Sequence, residues 1–230
     1  MMLVIAVVGS KSSGKTRTIE LLVKHLSQRG FKIATVKHIP EKDFSIDTKG
    51  KDTWRHSEAG AKTVLSVAPK EVAVIMKMNT ENLGLNQIVG LCEDADVVIL
   101  EGFKDLVAKN PSIYKIVAVK DSGEILEACG KFKSIIAFSG FGEKEIPEGV
   151  NQPYFNLIKD SEKIGTFIEK IVEASKGKIE DLRLYVHGTI IQVNPFVQKI
   201  ISRAVLAMVS TLKNVELSGD EVVTVKIKRR

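Results

Sequence analysis

The sequence predicts an α/β fold with a mostly parallel sheet in three layers, and three observations carry that expectation. The runs Leu3-Val4-Ile5-Ala6-Val7-Val8 and Asp96-Val97-Val98-Ile99-Leu100 have the length and composition of strands buried on both faces. Between the first run and a helical segment lies Gly9-Ser10-Lys11-Ser12-Ser13-Gly14-Lys15-Thr16, which has the spacing of a phosphate-binding loop. Further on, two strand-like runs are joined only by Ala68-Pro69-Lys70, too short for a parallel crossover, so one antiparallel hairpin interrupts the parallel plan.

The loop is read first because its chemistry requires the flanks it has. Ile19, Leu22, Val23 and Leu26 recur on one helix face and Gly30 supplies the stop. A strand before and a helix after turn successive backbone N–H groups inward on phosphate oxygens, and the positive end of the helix dipole faces the same anion. Gly9, Ser10, Lys11, Ser12, Ser13, Gly14, Lys15, Thr16 and Arg17 are therefore the candidate nucleotide-binding residues. In this motif the lysine reaches the terminal phosphates and the following hydroxyl ligates magnesium, roles that fall on Lys15 and Thr16.

Down the chain, Phe31 to Val36 alternates as a second strand that ends at Lys37-His38. Residues 39–56 show little periodicity, and Pro40, Asp43, Asp47, Gly50 and Asp52 mark a long loop of the functional or mobile kind. The hairpin strands are Ala61 to Val67 and Glu71 to Met76; a short helix follows from Leu85 to Cys92. The strand from Asp96 delivers Glu101-Gly102 to its C-terminal end, Lys115 to Val119 and Ser134 to Phe138 are further strands, and a helix runs from Asp160 to about Ala174.

In open α/β sheets the ligand lies outside the carboxyl ends of the strands. Lys37, His38 and Glu101 pass that filter. Magnesium bridging two phosphates needs hard oxygen ligands. Glu101 is the leading carboxylate; Asp52 is the second, either a ligand or the cap of a helical turn beginning at Thr53; Asp96 starts its strand and ranks below both. The candidate metal set is Thr16, Asp52 and Glu101. Lys15 and Lys37 are the candidate catalytic cations, Lys37 being otherwise a solvated strand end. His38 and His56 lack a third ligand and read as solvated or hydrogen-bonded side chains.

A second unit is expected over 177–230, after a nucleotide-binding domain over 1–176. Leu182 to Val193 alternates around His187-Gly188 as a hairpin, Asn194-Pro195 opens a helix with a cap and a first-turn proline, and Val222 to Ile227 returns as a strand. Phe196, Val197, Ile200, Ile201, Ala204, Val205, Met208, Val209 and Leu212 give that helix one broad apolar face. This small α+β appendage is marginal alone, so it packs on the main domain or a second subunit.

Composition excludes several classes. With 230 residues, 44% hydrophobic and 27% charged, the chain is globular rather than disordered. A net charge of +6 would suit a polyanion, but basic residues are scattered among acids except at Lys226-Ile227-Lys228-Arg229-Arg230, which argues against nucleic acid as a partner. Cys92 and Cys129 form no metal or redox spacing and read as reduced thiols. No long apolar span is present, and the first apolar run leads straight into the phosphate loop rather than to a cleavage site, which predicts a cytoplasmic protein.

Together these motifs make the sequence resemble the molybdopterin-guanine dinucleotide biosynthesis protein B family. The resemblance rests on the phosphate loop, Val36-Lys37-His38, Asp47 with Gly50-Lys51-Asp52-Thr53-Trp54-Arg55-His56, Ala59-Gly60-Ala61, and Leu100-Glu101-Gly102-Phe103-Lys104. It implies binding of GTP with magnesium, slow hydrolysis at most, and assistance to a guanylyltransferase that attaches GMP to molybdopterin. A homodimer is expected, with molybdopterin itself a further candidate ligand. The layout is also similar to dethiobiotin synthetase, whose hydroxyl, aspartate and strand-end glutamate pattern would fall on Thr16, Asp52 and Glu101. One departure is the stretch after His38, where Pro40, Glu41 and Lys42 stand instead of a further histidine. The usual guanine-reading pattern has no match, since Thr48-Lys49-Gly50-Lys51 fails at its last position; Asp160 is one candidate to take that role. The alternative is an ATP-dependent phosphoryl-transfer enzyme, a small-molecule kinase or ligase, with Arg55 and Lys37 clamping the transferred group.

Overall fold

The computed structural model describes residues 2–225 apart from 42, 82, 93, 176–181, 183, 187–188, 192, 214 and 216–222. Its centre is a six-stranded parallel sheet built from β1 (Leu3–Gly9), β2 (Ile33–Lys37), β5 (Val97–Glu101), β6 (Tyr114–Ala118), β7 (Ile135–Gly140) and β8 (Tyr154–Asn156). They lie in the order β2-β5-β1-β6-β7-β8, so β1 is central and β5 and β6 flank it.

Alternation along β1 splits the core in two. Ile5 and Val7 point to the side covered by α1 (Lys15–Gln28) and α6 (Ser161–Ser175), where Leu22, Leu26, Ile164 and Ile168 are buried. Ala6 and Val8 point to the side covered by α3 (Leu85–Gly90), α4 (Lys104–Val107) and α5 (Gly123–Lys131), with Ile88, Val107 and Ile125 buried there. The sheet is therefore sandwiched between helices, the three-layer arrangement the apolar runs predict. His25 on α1 and Glu169 on α6 meet at 2.7 Å and tie one helix layer together. Lys115 is buried within β6, its ammonium donating to the Asn110 carbonyl, and burial lowers its pKa.

The hairpin forms as a separate two-stranded sheet of β3 (Thr63–Ala68) and β4 (Glu71–Met76), paired antiparallel from Thr63 opposite Met76 to Ala68 opposite Glu71. The segment read as loop to His56 instead contains α2 (Asp52–Glu58). Seven residues are too few for an apolar period to declare itself. In the second unit, β9 (Leu184–Val186) and β10 (Thr189–Ile191) pair antiparallel, and α7 (Pro195–Ser210) begins where the Asn194 side chain accepts from the Val197 N–H at 2.9 Å. β10 packs against α3. Residues 222 and 226–227 of the expected last strand, the His187-Gly188 turn and the basic cluster at 226–230 lie outside the described residues. Among the described residues, no helix is long and apolar enough to cross a membrane.

Candidate functional site

The connection from β1 to α1 passes between β5 and β6 with no spare room. A Cβ on Gly9 would stand 2.2 Å from the Ala118 carbonyl oxygen and 2.6 Å from Ser13 Oγ, at a φ of 152°. Gly14 has a φ of 102° and Ser12 a φ of 60°, so the loop curls through left-handed backbone at both points. Ser13 Oγ donates to the Ser10 carbonyl at 2.9 Å, and Thr18 Oγ1 bonds Ser139 Oγ at 2.9 Å, fixing the first turn of α1 to β7. Ser10 Oγ is buried without a partner among the described residues, a hydroxyl whose hydrogen-bonding capacity suits a ligand oxygen.

Lys15 folds over this loop, its Nζ donating to the carbonyls of Ser10 at 2.6 Å and Gly9 at 3.3 Å. Burial lowers its pKa first and the Lys104 ammonium next, with Lys120 and Lys37 adding to the effect and Glu101 opposing it. Four lysines thus share one electrostatic neighbourhood, a field that favours a polyphosphate. Lys104 has no assigned role from the sequence and Lys120 does not stand out there. The signal that finds them is sheet order, because only the placement of β5 and β6 on either side of β1 brings the residues after those strands to the loop.

At the end of β5, Glu101 Oε1 accepts from Thr16 Oγ1 at 3.2 Å and lies 3.6 Å from Lys37 Nζ. Two of the sequence candidates, Thr16 and Lys37, therefore converge on the carboxylate of a third. Asp52 does not join them. It is the first residue of α2, with Lys51 and not Asp52 at the cap position; its side chain is 89% exposed and faces Arg55 Nη1 at 3.8 Å. Asp47 holds the start of this segment, accepting from the Thr48 N–H at 2.9 Å and Thr53 Oγ1 at 2.8 Å. Arg17 lies on the outer face of α1 in a pair with Glu20 at 3.2 Å, and Lys11 is exposed on the loop. His38 packs its ring on Phe103, with centroids 5.1 Å apart. His56 is exposed on α2.

Residues 4–139 match the model of the family described as molybdopterin guanine dinucleotide synthesis protein B, MobB. The chain belongs to this family. Within it, a Methanocaldococcus jannaschii protein provisionally named as a molybdopterin-guanine dinucleotide biosynthesis adapter protein is 35% identical over 94% of both chains. The adapter protein of that name from Haemophilus influenzae is 31% identical over 44% of this chain and 56% of its own. Bacillus subtilis MobB, a solved structure, shares the fold with a TM-score of 0.59 at 22% identity, covering 77% of this chain and 100% of its own. The MobB homologue from Bacillus stearothermophilus gives 0.54 at 23% identity, covering 74% and 98%. These structures are matched over nearly their whole length by about three quarters of this chain.

Proposed function

We propose that this MobB-family chain binds GTP with magnesium at the β1–α1 loop and acts as an adapter in molybdopterin guanine dinucleotide synthesis, assisting a guanylyltransferase that transfers GMP to molybdopterin. The observation that supports the site is the convergence of Thr16, Lys37 and Glu101 beneath a glycine-bounded loop roofed by Lys15. Thr16 Oγ1 and the Glu101 carboxylate are adjacent hard oxygens of the kind magnesium takes alongside phosphate and water, so the residues fit the ion. When bound, magnesium neutralises charge across the two outer phosphates. The chain's own part is to hold the phosphates on backbone N–H groups and to balance their outer charge with Lys15 and Lys37. This arrangement supports nucleotide occupancy; slow hydrolysis at most is what the family resemblance adds. A homodimer is part of the same reading, as is a cytoplasmic location.

Thermal unfolding with GTP, GDP, ATP and ADP, with and without magnesium, tests the site. GTP with magnesium at a hundred times its dissociation constant should add about 2.7 kcal/mol of stability. Lys15→Ala should abolish the shift from every nucleotide. Glu101→Gln should spare much of the binding and remove its magnesium dependence. Asp52→Asn should leave the magnesium response close to that of the natural sequence, because its carboxylate is exposed on α2 and takes no part in the contacts among Thr16, Lys37 and Glu101. An unchanged magnesium response in Glu101→Gln overturns the metal assignment. Selective stabilisation by ATP would replace this reading with a phosphoryl-transfer enzyme.

A further inference from the structure

The segments that leave β7 and β8 lie beside the phosphate loop and carry a set of side chains that the loop itself does not use. A Cβ built on Gly14 would meet Leu157 Cδ1 at 2.7 Å and Phe141 Cε2 at 3.2 Å, so both side chains touch the last glycine of the loop. The Phe141 ring is nonetheless 47% exposed. Its backbone is pinned from several sides. Lys144 Nζ donates to the Phe141 carbonyl at 2.6 Å, and Tyr154 Oη donates to the Gly142 carbonyl at 2.8 Å. Burial, with Glu143 and Asp160 nearby, pushes the Tyr154 hydroxyl up to about 12, so it keeps the proton it donates.

Two residues beyond Phe141, the Glu143 carboxylate accepts from Lys159 Nζ at 2.6 Å and from Asn156 Nδ2 at 3.4 Å, both at Oε1. The Lys159 ammonium holds its pKa below the usual carboxylate value, so it is ionised. Oε2 has no partner among the described residues. Asn156 is buried, its Oδ1 accepting from the N–H groups of Ile158 at 3.0 Å and Lys159 at 3.4 Å. The other carboxylate in this corner, Asp160, is engaged: Oδ2 accepts from the Asn156 N–H at 3.1 Å and Oδ1 from Lys163 Nζ at 2.7 Å. Both Asp160 oxygens thus have donors in place, whereas Glu143 keeps Oε2 without one among the described residues.

We propose that residues 140–144 and 156–160 form the base subsite of the nucleotide site, with Phe141 as the stacking surface and Glu143 as the carboxylate that selects guanine. The inference rests on the nucleotide reading above and deepens it. An aromatic face adjoining the phosphate loop offers stacking to any purine without choosing between them. The choice comes from the carboxylate, which can only accept hydrogen bonds when ionised. Guanine presents two adjacent donors, N1–H and the N2 amino group. Adenine presents a lone pair at N1, which would face the carboxylate unpaired, and a site built for donors rejects a base that lacks them. The selecting residue lies two positions after the stacking one, an arrangement the usual guanine-reading pattern does not describe.

Competition of GDP, ADP, IDP and inorganic tripolyphosphate against a fluorescent nucleotide, at fixed magnesium, tests this. The natural sequence should prefer GDP to ADP, with IDP, which lacks the N2 amino group, in between. Glu143→Ala should lower the GDP to ADP preference roughly tenfold to a hundredfold, the loss of charge-assisted hydrogen bonds, while tripolyphosphate competes as before. Phe141→Ala should weaken GDP and ADP alike and also spare tripolyphosphate, which serves as the check that each variant is folded at the loop. A GDP to ADP ratio unmoved in Glu143→Ala, or a natural protein indifferent to the base, overturns the subsite while leaving the phosphate site standing. Failure of all four competitors on the natural sequence overturns the nucleotide reading with it.

Discussion

Lys15 stands in a field of its own sign. Burial and the ammonium groups of Lys104, Lys120 and Lys37 lower its pKa, with only Glu101 opposing. A bound polyphosphate reverses that balance and favours the charged form, so binding and protonation of Lys15 are linked. The sign follows directly: with a depressed pKa in the free protein, affinity is full below that pKa and falls as pH rises through it. Nucleotide affinity measured by titration calorimetry across alkaline pH should therefore decline at a pH below the ordinary lysine range, and Lys104→Ala should move the decline upward. A pH profile unchanged by Lys104→Ala would separate the two lysines. Much of this site is legible in the sequence, because the loop spacing names Lys15 and Thr16 and the strand-end rule names Lys37 and Glu101. Lys120 and Glu143 are not legible there. Each follows the end of a strand whose place in the sheet a linear reading does not order, and Glu143 lies in no pattern that sequence spacing recognises.

Elements with a strong local signal form where their residues predict. Asn194 and Pro195 make the start of α7 readable, and the cap bond to Val197 forms. Asn194→Ala should cost about 1 kcal/mol of helix stability, read as loss of amide protection in the first turn of α7 by hydrogen exchange. α2, α4 and β8 have seven, four and three residues, and such lengths are fixed by tertiary packing more than by periodicity. The β3–β4 hairpin is legible from its short connection, which is Pro69-Lys70 because Ala68 still pairs with Glu71, but its separation from the main sheet is not. Register puts Leu65 opposite Val74 and Val67 opposite Val72 on one face, and all four are exposed, Val67 at 77%. A two-stranded ribbon on its own is marginal in water, and an exposed apolar patch of this kind is a candidate contact surface. With a second copy as its occupant, Val67→Lys and Leu65→Lys should each convert a dimer to a monomer by light scattering, without loss of nucleotide binding. A natural protein of monomer mass would remove the dimer from the reading.

At the scale of the whole molecule, the residues before 176 and those after it have different standing. The solved MobB structures align over 98–100% of their own length while covering only 74–77% of this chain, so a complete MobB fold does not require a segment equivalent to the rest. The loop, the β5 carboxylate, the lysine field and the base corner all lie before residue 176. Among the described residues β10 packs on α3, a helix on the sheet face away from α1 and α6. A chain ending at residue 175 should therefore fold and bind GTP with unchanged affinity by titration calorimetry, at a modestly lower melting temperature because the outer side of α3 becomes exposed. The separate segment 177–230, at about fifty residues, should show little helix by circular dichroism, since a chain that small buries too little apolar surface to offset its conformational entropy. Loss of GTP affinity on truncation would mean that the C-terminal unit completes the site, and the boundary between nucleotide binding and the appendage would then have to be drawn elsewhere.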